Sequence, residues 1–218
     1  MNPAEYAATE RIFARNFYNG EAPDTILSGD GPGYYLFTAP YASNTVKDGR
    51  RKSADRYTGS LAKALAVSTG SGWLAAAGAV SEWSYWDERR DAFTGALDDA
   101  VIDGKFVIDV NGVSARYGAD IFIGYGSNPS EEALALADEI IYEFSEYRVV
   151  AGGKFNATSP RTVRSFIADS GGDALQLEVA PRLRNIDECP ELPGNFITRF
   201  GTLLMNHAAG RQPVAVAA

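Results

Sequence analysis

The 218-residue sequence predicts an α/β fold, a three-layer αβα arrangement around a mostly parallel or mixed central sheet. Three observations carry this expectation. Short apolar, partly β-branched runs such as 106–110 and 121–123 alternate with segments of helical period. Several of these runs are apolar at consecutive positions, the pattern of strands covered on both faces. The composition, 45% hydrophobic and 22% charged, suits a globular chain long enough for one sizeable core.

Taken in order, residues 4–17 place Tyr6, Ile12, Phe13 and Phe17 at helical spacing and predict a first amphipathic helix. Residues 18–33, rich in Gly, Pro and Asp, read as a loop, and 33–38 as a strand ended by Ala39 and Pro40. The following loop, 41–53, carries Asn44, Lys47, Asp48, Arg50, Arg51 and Lys52. Its four cations read either as a solvated loop or as an anion-binding rim. A helix over 54–68 puts Tyr57, Leu61, Ala64 and Leu65 on one face, with Asp55 near the positive end of its dipole, and Gly70 stops it. Residues 73–80, small and apolar, read as a buried strand.

The stretch 81–90, SEWSYWDERR, is aromatic and charged. Trp83, Tyr85 and Trp86 read as core packing at a helix start, a pocket wall or a partner surface. The next helix is placed at 86–102, before the strand at 106–110. After the strand at 121–123, Asn128 as N-cap, Pro129 at the first helical position and Glu131 predict a helix with Leu134, Ala137, Ile141 and Phe144 as its apolar stripe. Residues 147–150 read as a strand and 161–168 as a short helix. In 174–180, Leu175, Leu177 and Val179 alternate with Gln176 and Glu178, so one strand face carries an amide and a carboxylate. The last helix, 193–207, sets Phe196, Ile197, Phe200, Leu203, Leu204 and His207 at helical spacing, which gives His207 a structural reading. A single domain is expected over 1–209, with a disordered tail at 210–218.

The formal net charge of −8 argues against nucleic-acid or anionic-membrane partners, because phosphate binding needs concentrated Lys and Arg. Cys189 is the one cysteine, so no internal disulfide or cysteine-based metal site is available. No signal-peptide core is present at the N-terminus, and no apolar run approaches about 18 residues, so a cytoplasmic protein is expected. With His207 the one histidine, a zinc site built on several imidazoles has no donors.

In an open α/β sheet ligands sit at the carboxyl ends of the strands, which directs attention to Asp109, Asn111 and Gly112. These polar groups read either as chemistry or as caps of a strand end. With Thr38-Ala39-Pro40, the 54–65 helix, the 109–126 unit and Leu175-Gln176-Leu177-Glu178 followed by Arg184, the chain resembles the N-formylglutamate amidohydrolase family. That resemblance spans roughly residues 34–205 and implies a zinc-exopeptidase-like fold. It also implies a metal site of two histidines and a glutamate, but the corresponding positions here hold Tyr41, Asn44 and Asn111, which are poor zinc donors. Glu178 matches the family's general acid/base glutamate.

The expectation is therefore a divergent, metal-independent enzyme without a cofactor, of the kind found in specialised metabolism, forming homo- or hetero-oligomers. Glu178, Asn111 and Tyr41 are the expected catalytic groups. Asn44, Asp109, Arg116, Arg182 and Arg184 are expected to hold a small, amino-acid-like, anionic substrate for ring closure, elimination or hydrolysis. Two alternatives stand beside it: a non-catalytic subunit that binds a partner chain or small molecule, and a zinc amidohydrolase using other ligands such as His207 and Asp109.

Overall fold

The computed structural model describes residues 1–80 and 91–210. The readings made for Trp83, Tyr85, Trp86 and the end of the tail lie outside these residues. Nine strands are described: β1 (Ile26–Gly29), β2 (Tyr35–Ala39), β3 (Thr45–Lys47), β4 (Arg50–Lys52), β5 (Gly72–Ala76), β6 (Phe106–Gly112), β7 (Ile121–Gly124), β8 (Val149–Ala151) and β9 (Ala174–Val179). They alternate with α1 (Pro3–Phe13), α2 (Arg15–Tyr18), α3 (Thr58–Thr69), α4 (Ala92–Ile102), α5 (Glu131–Glu143), α6 (Val163–Asp169), α7 (Pro181–Arg184) and α8 (Leu192–Ala209).

Seven strands form one mixed sheet in the order β1-β5-β2-β6-β9-β7-β8, while β3 and β4 form a separate hairpin. Strands β5, β2, β6 and β9 run parallel to their neighbours, and β1 and the β7–β8 pair are antiparallel additions. The α/β class and the mixed sheet expected from the pattern are both present. Two short elements were hidden in segments read as loops. β1 is a four-residue edge strand, and β3–β4 turns through Asp48 and Gly49, both at positive φ (52° and 68°), the geometry of a two-residue hairpin loop.

The two faces of the sheet are covered unequally. Tyr35, Phe37, Ile108, Val110, Leu175 and Leu177 point into the large core shared with α1, α3, α5 and α8. The opposite face, with Leu74, Val107 and Ala174, packs on Phe93 and Leu97 of α4 and on Val163 and Ile167 of α6. α6, which packs on this second face, has only seven residues.

Helix α5 corrects two local expectations. Its cap is Ser130, whose Oγ accepts from the Ala133 N–H at 3.1 Å, while the Asn128 carbonyl accepts from Arg164. Its buried stripe is Ala133, Leu136, Ala137 and Ile140, so Leu134 and Ile141 are exposed. Both stripes have helical period and share Ala137; small Ala133 lets the helix seat one position further round.

The start of α3 is held by a buried carboxylate. Glu10 of α1 accepts from Ser60 Oγ (2.6 Å), Tyr18 Oη (2.8 Å) and the Tyr57 N–H (2.8 Å). Tyr57 is thereby kept at φ 68°, a conformation that tyrosine adopts rarely. Glu10→Ala strands all three donors and should lower unfolding free energy by about 3 kcal/mol in urea titrations; a loss below about 1 kcal/mol would show that water replaces the carboxylate.

Candidate functional site

Strand period 2 puts Thr38 of β2, Asp109 and Asn111 of β6, and Gln176 and Glu178 of β9 on the face that packs against α4 and α6. The register pairs Thr38 with Asp109, Asp109 with Gln176, and Asn111 with Glu178. Polar groups from three neighbouring strands therefore meet at their carboxyl ends. Here lies a cavity of about 320 Å³, lined by Tyr41, Asp109, Asn111, Gln176 and Glu178, by Lys47 and Lys52 of the hairpin, and by Lys154, Phe155 and Thr158 of the loop before α6.

Asp109 is 2% exposed, and its carboxylate accepts from Thr38 Oγ1 and from Asn111 Nδ2, both at 2.7 Å. Burial pushes its pKa up to about 6, against the pull of those two hydrogen bonds. Asn111 is 3% exposed and its Oδ1 has no hydrogen-bond donor among the described residues. Glu178 is part-buried and receives Gln176 Nε2 at 3.1 Å. Desolvation, with the nearby charge of Asp55 second, pushes its pKa up to about 8. Burial, then the charge of Asp109, raises the Tyr41 phenol far enough that it stays protonated. Lys52 lies 3.4 Å from the centroid of the Tyr41 ring and 3.1 Å from Asp55 Oδ2.

Of the residues expected at a site, Tyr41, Asp109, Asn111 and Glu178 are brought together. The other four are committed elsewhere. Asn44 Nδ2 donates to the Phe17 carbonyl and to Asn19, and its Oδ1 accepts from the Ala54 N–H, so it ties two loops together. Arg116 is exposed beside the ring of Tyr117, and Arg182 is paired with Asp120 at 2.5 Å. Arg184 is buried and spends its guanidinium on the carbonyls of Val179 and Arg56. The cavity lining contains lysines in place of the expected arginines. Lys47 and Lys52 were legible only as loop cations, and Lys154, between Gly153 and Phe155, carried no signal of its own.

This donor set does not fit zinc. Tyr41 is a protonated phenol, Asn111 a neutral amide, Asn44 lies outside the lining, and the Asp109 carboxylate is already engaged by Thr38 and Asn111. Among the described residues no three His, Cys, Asp or Glu side chains are grouped to hold a metal. His207 does not join Asp109 either: it lies on α8, with Nδ1 3.0 Å from Glu139 and Nε2 3.6 Å from Glu132. The structural reading of His207 fits this place between two helices, and the His207–Asp109 zinc alternative is overturned.

No family model matches the chain, and no curated protein sequence matches it. Solved structures do. The chain is similar to N-formylglutamate amidohydrolase from Ralstonia eutropha JMP134, with a TM-score of 0.56 and 12% identity over 86% of this chain and 98% of that one. A bacteriophage poly-gamma-glutamate hydrolase gives 0.55 and 13%, over 85% and 88%. A metallo-carboxypeptidase from Burkholderia cenocepacia gives 0.51 and 9%, over 87% and 62%. No described helix is long and apolar enough to cross a membrane. The chain thus has the zinc-exopeptidase-like α/β fold of these solved structures.

Proposed function

We propose that the chain is a metal-independent acid–base enzyme acting on a small molecule in this cavity, with Glu178 as the proton-transferring group. The observation that carries this reading is the Glu178 carboxyl on the cavity wall, desolvated so that it holds its proton to about pH 8. Glu178 therefore meets substrate as an acid near neutral pH. It protonates a leaving group or carbonyl oxygen, and the resulting carboxylate takes a proton back from the attacking nucleophile or the carbon acid. Hydrolysis, elimination and ring closure all share this exchange.

The neighbours have supporting roles. Ionised Asp109 fixes Asn111 through Nδ2, which leaves Asn111 Oδ1 as an acceptor for a substrate N–H. Tyr41, protonated, is a hydroxyl donor on the same wall. Without Lewis-acid polarisation, worth several kcal/mol, reactions governed by proton transfer and positioning suit the site better than cleavage of a stable amide. The scaffold is shared with enzymes named for N-formylglutamate and poly-gamma-glutamate, which supports a small, amino-acid-like substrate.

Two outcomes are expected. In a turnover screen of N-acyl amino acids and glutamyl amides, Glu178→Gln should lower kcat by about 10²–10⁴-fold, and undiminished turnover would sink the reading. If Asp109 must be ionised and Glu178 protonated, the wild-type profile should be bell-shaped with limbs near pH 6 and pH 8, as apparent values of a coupled pair.

Stability offers a substrate-free check. The folded-state pKa of Glu178 is raised from 4.5 to about 8, so the stabilisation of its protonated form is complete below 4.5 and is lost as pH rises towards 8. Wild-type Tm should fall relative to that of Glu178→Gln across this window in parallel thermal melts. A constant difference between the two proteins would contradict the assignment.

A further inference from the structure

We infer that the cavity contains an oxyanion subsite, formed by Lys47 and Lys154, that binds a carboxylate or phosphate group of the substrate. This deepens the proposed function, resting on it only for the placement of the reacting centre at Glu178. The first observation is distribution: the chain has a net charge of −8 and five lysines, and three of the five line this one cavity. Concentrated positive charge on an acidic protein raises the local concentration of anions at that mouth.

The second observation is which cations are already spent. Lys52 is held by Asp55 and the Tyr41 ring. Lys47, next to the tip of the β3–β4 hairpin, has no ion-pair partner among the described residues, and Lys154 faces the ring of Tyr117 at 4.6 Å. The two ammonium groups come from different loops whose neighbours meet, since Arg161 lies 3.8 Å from Asp48. The hydroxyl of Thr158 on the same lining adds a neutral donor.

Third, the acids of the cavity do not cancel this charge. Glu178 is neutral below about pH 8, Asp55 is paired with Lys52, and Asp109 is turned to Thr38 and Asn111. Lysine recognises an oxyanion as a point charge rather than through the planar fork of arginine, and among the described residues no arginine is in the lining. Carboxylate and phosphate share this chemistry, and the two are separated by experiment.

Inorganic phosphate and glutarate would be titrated by calorimetry and thermal shift at constant ionic strength. The proteins would be wild type, Lys47→Ala, Lys154→Ala, the double variant, Glu178→Gln, and Lys63→Ala as a control on α3. One or both anions should bind wild type, with Kd raised about tenfold by either single lysine variant and binding lost in the double variant. Binding of phosphate alone identifies a phosphate-bearing substrate, and of glutarate alone a carboxylate-bearing one. Absence of binding by both anions, or equal binding by the double variant, would overturn the subsite. Glu178→Gln should still bind the anion; if it does so with undiminished turnover, the acid–base reading falls and the subsite stands.

Discussion

A carboxylate buried between parallel strands has to be fully hydrogen-bonded or give up its charge, and the site is arranged around how Asp109 meets that demand. Thr38 binds one oxygen from β2 and Asn111 binds the other from its own strand, so the acid ties two central strands together at their carboxyl ends. The same tie orients Asn111 and leaves its Oδ1 without a donor among the described residues, beside Glu178 in the strand register. Were Asp109 apolar, Thr38 and Asn111 would both lose their partner and the geometry of the wall would relax.

Support for this wall comes from behind it. Gly112 ends β6 against Asp55 and Arg184: a Cβ there would sit 2.8 Å from Asp55 Cβ and 2.9 Å from Arg184 Nη2. Arg184 clamps the end of β9 through the Val179 carbonyl and reaches the loop before α3 through the Arg56 carbonyl. Its burial is offset by the charge of Asp55, which also holds Lys52 and accepts from the Gly112 N–H. An arginine that looks from its position like a substrate ligand thus acts as a scaffold for the strand ends that carry Asn111 and Glu178.

The fold was readable because burial on both faces makes β2, β6 and β7 largely apolar runs, and the face of Glu178 was readable because β9 alternates. The rule that ligands meet the carboxyl ends of strands pointed to Asp109 and Asn111, while Tyr41 and Glu178 were singled out by the resemblance to the amidohydrolase family. What escaped was set by tertiary contact. β1 has only Ile26 and Leu27 before Ser28 and Gly29, too short an apolar run to signal a strand, and it pairs along the edge that β5 offers. The hairpin had a local signal in Asp48-Gly49, but its flanks are cationic instead of alternating. The roles of Arg182 and Arg184 depended on Asp120 and on backbone carbonyls distant in sequence, and no spacing rule reaches those partners.

Under the proposed metal-independent reading, the electrostatics of the cavity follow a different logic from that of a metal centre. A divalent ion would hold carboxylates in their ionised form; here positive charge comes from lysines at the rim and a fixed Lys52, and Glu178 keeps its proton through desolvation. Lys52 pulls the Glu178 pKa down, while Asp55 and Asp109 push it up. In the proposed complex, negative charge brought beside Glu178 and the exclusion of water from the wall would both favour the protonated acid. Proton and anion then bind in mutual support, since a coupling that raises one affinity raises the other by the same factor. In the proposed reaction, an acid poised in this way would hold its proton most fully with the substrate in place, which is the state that general acid catalysis needs.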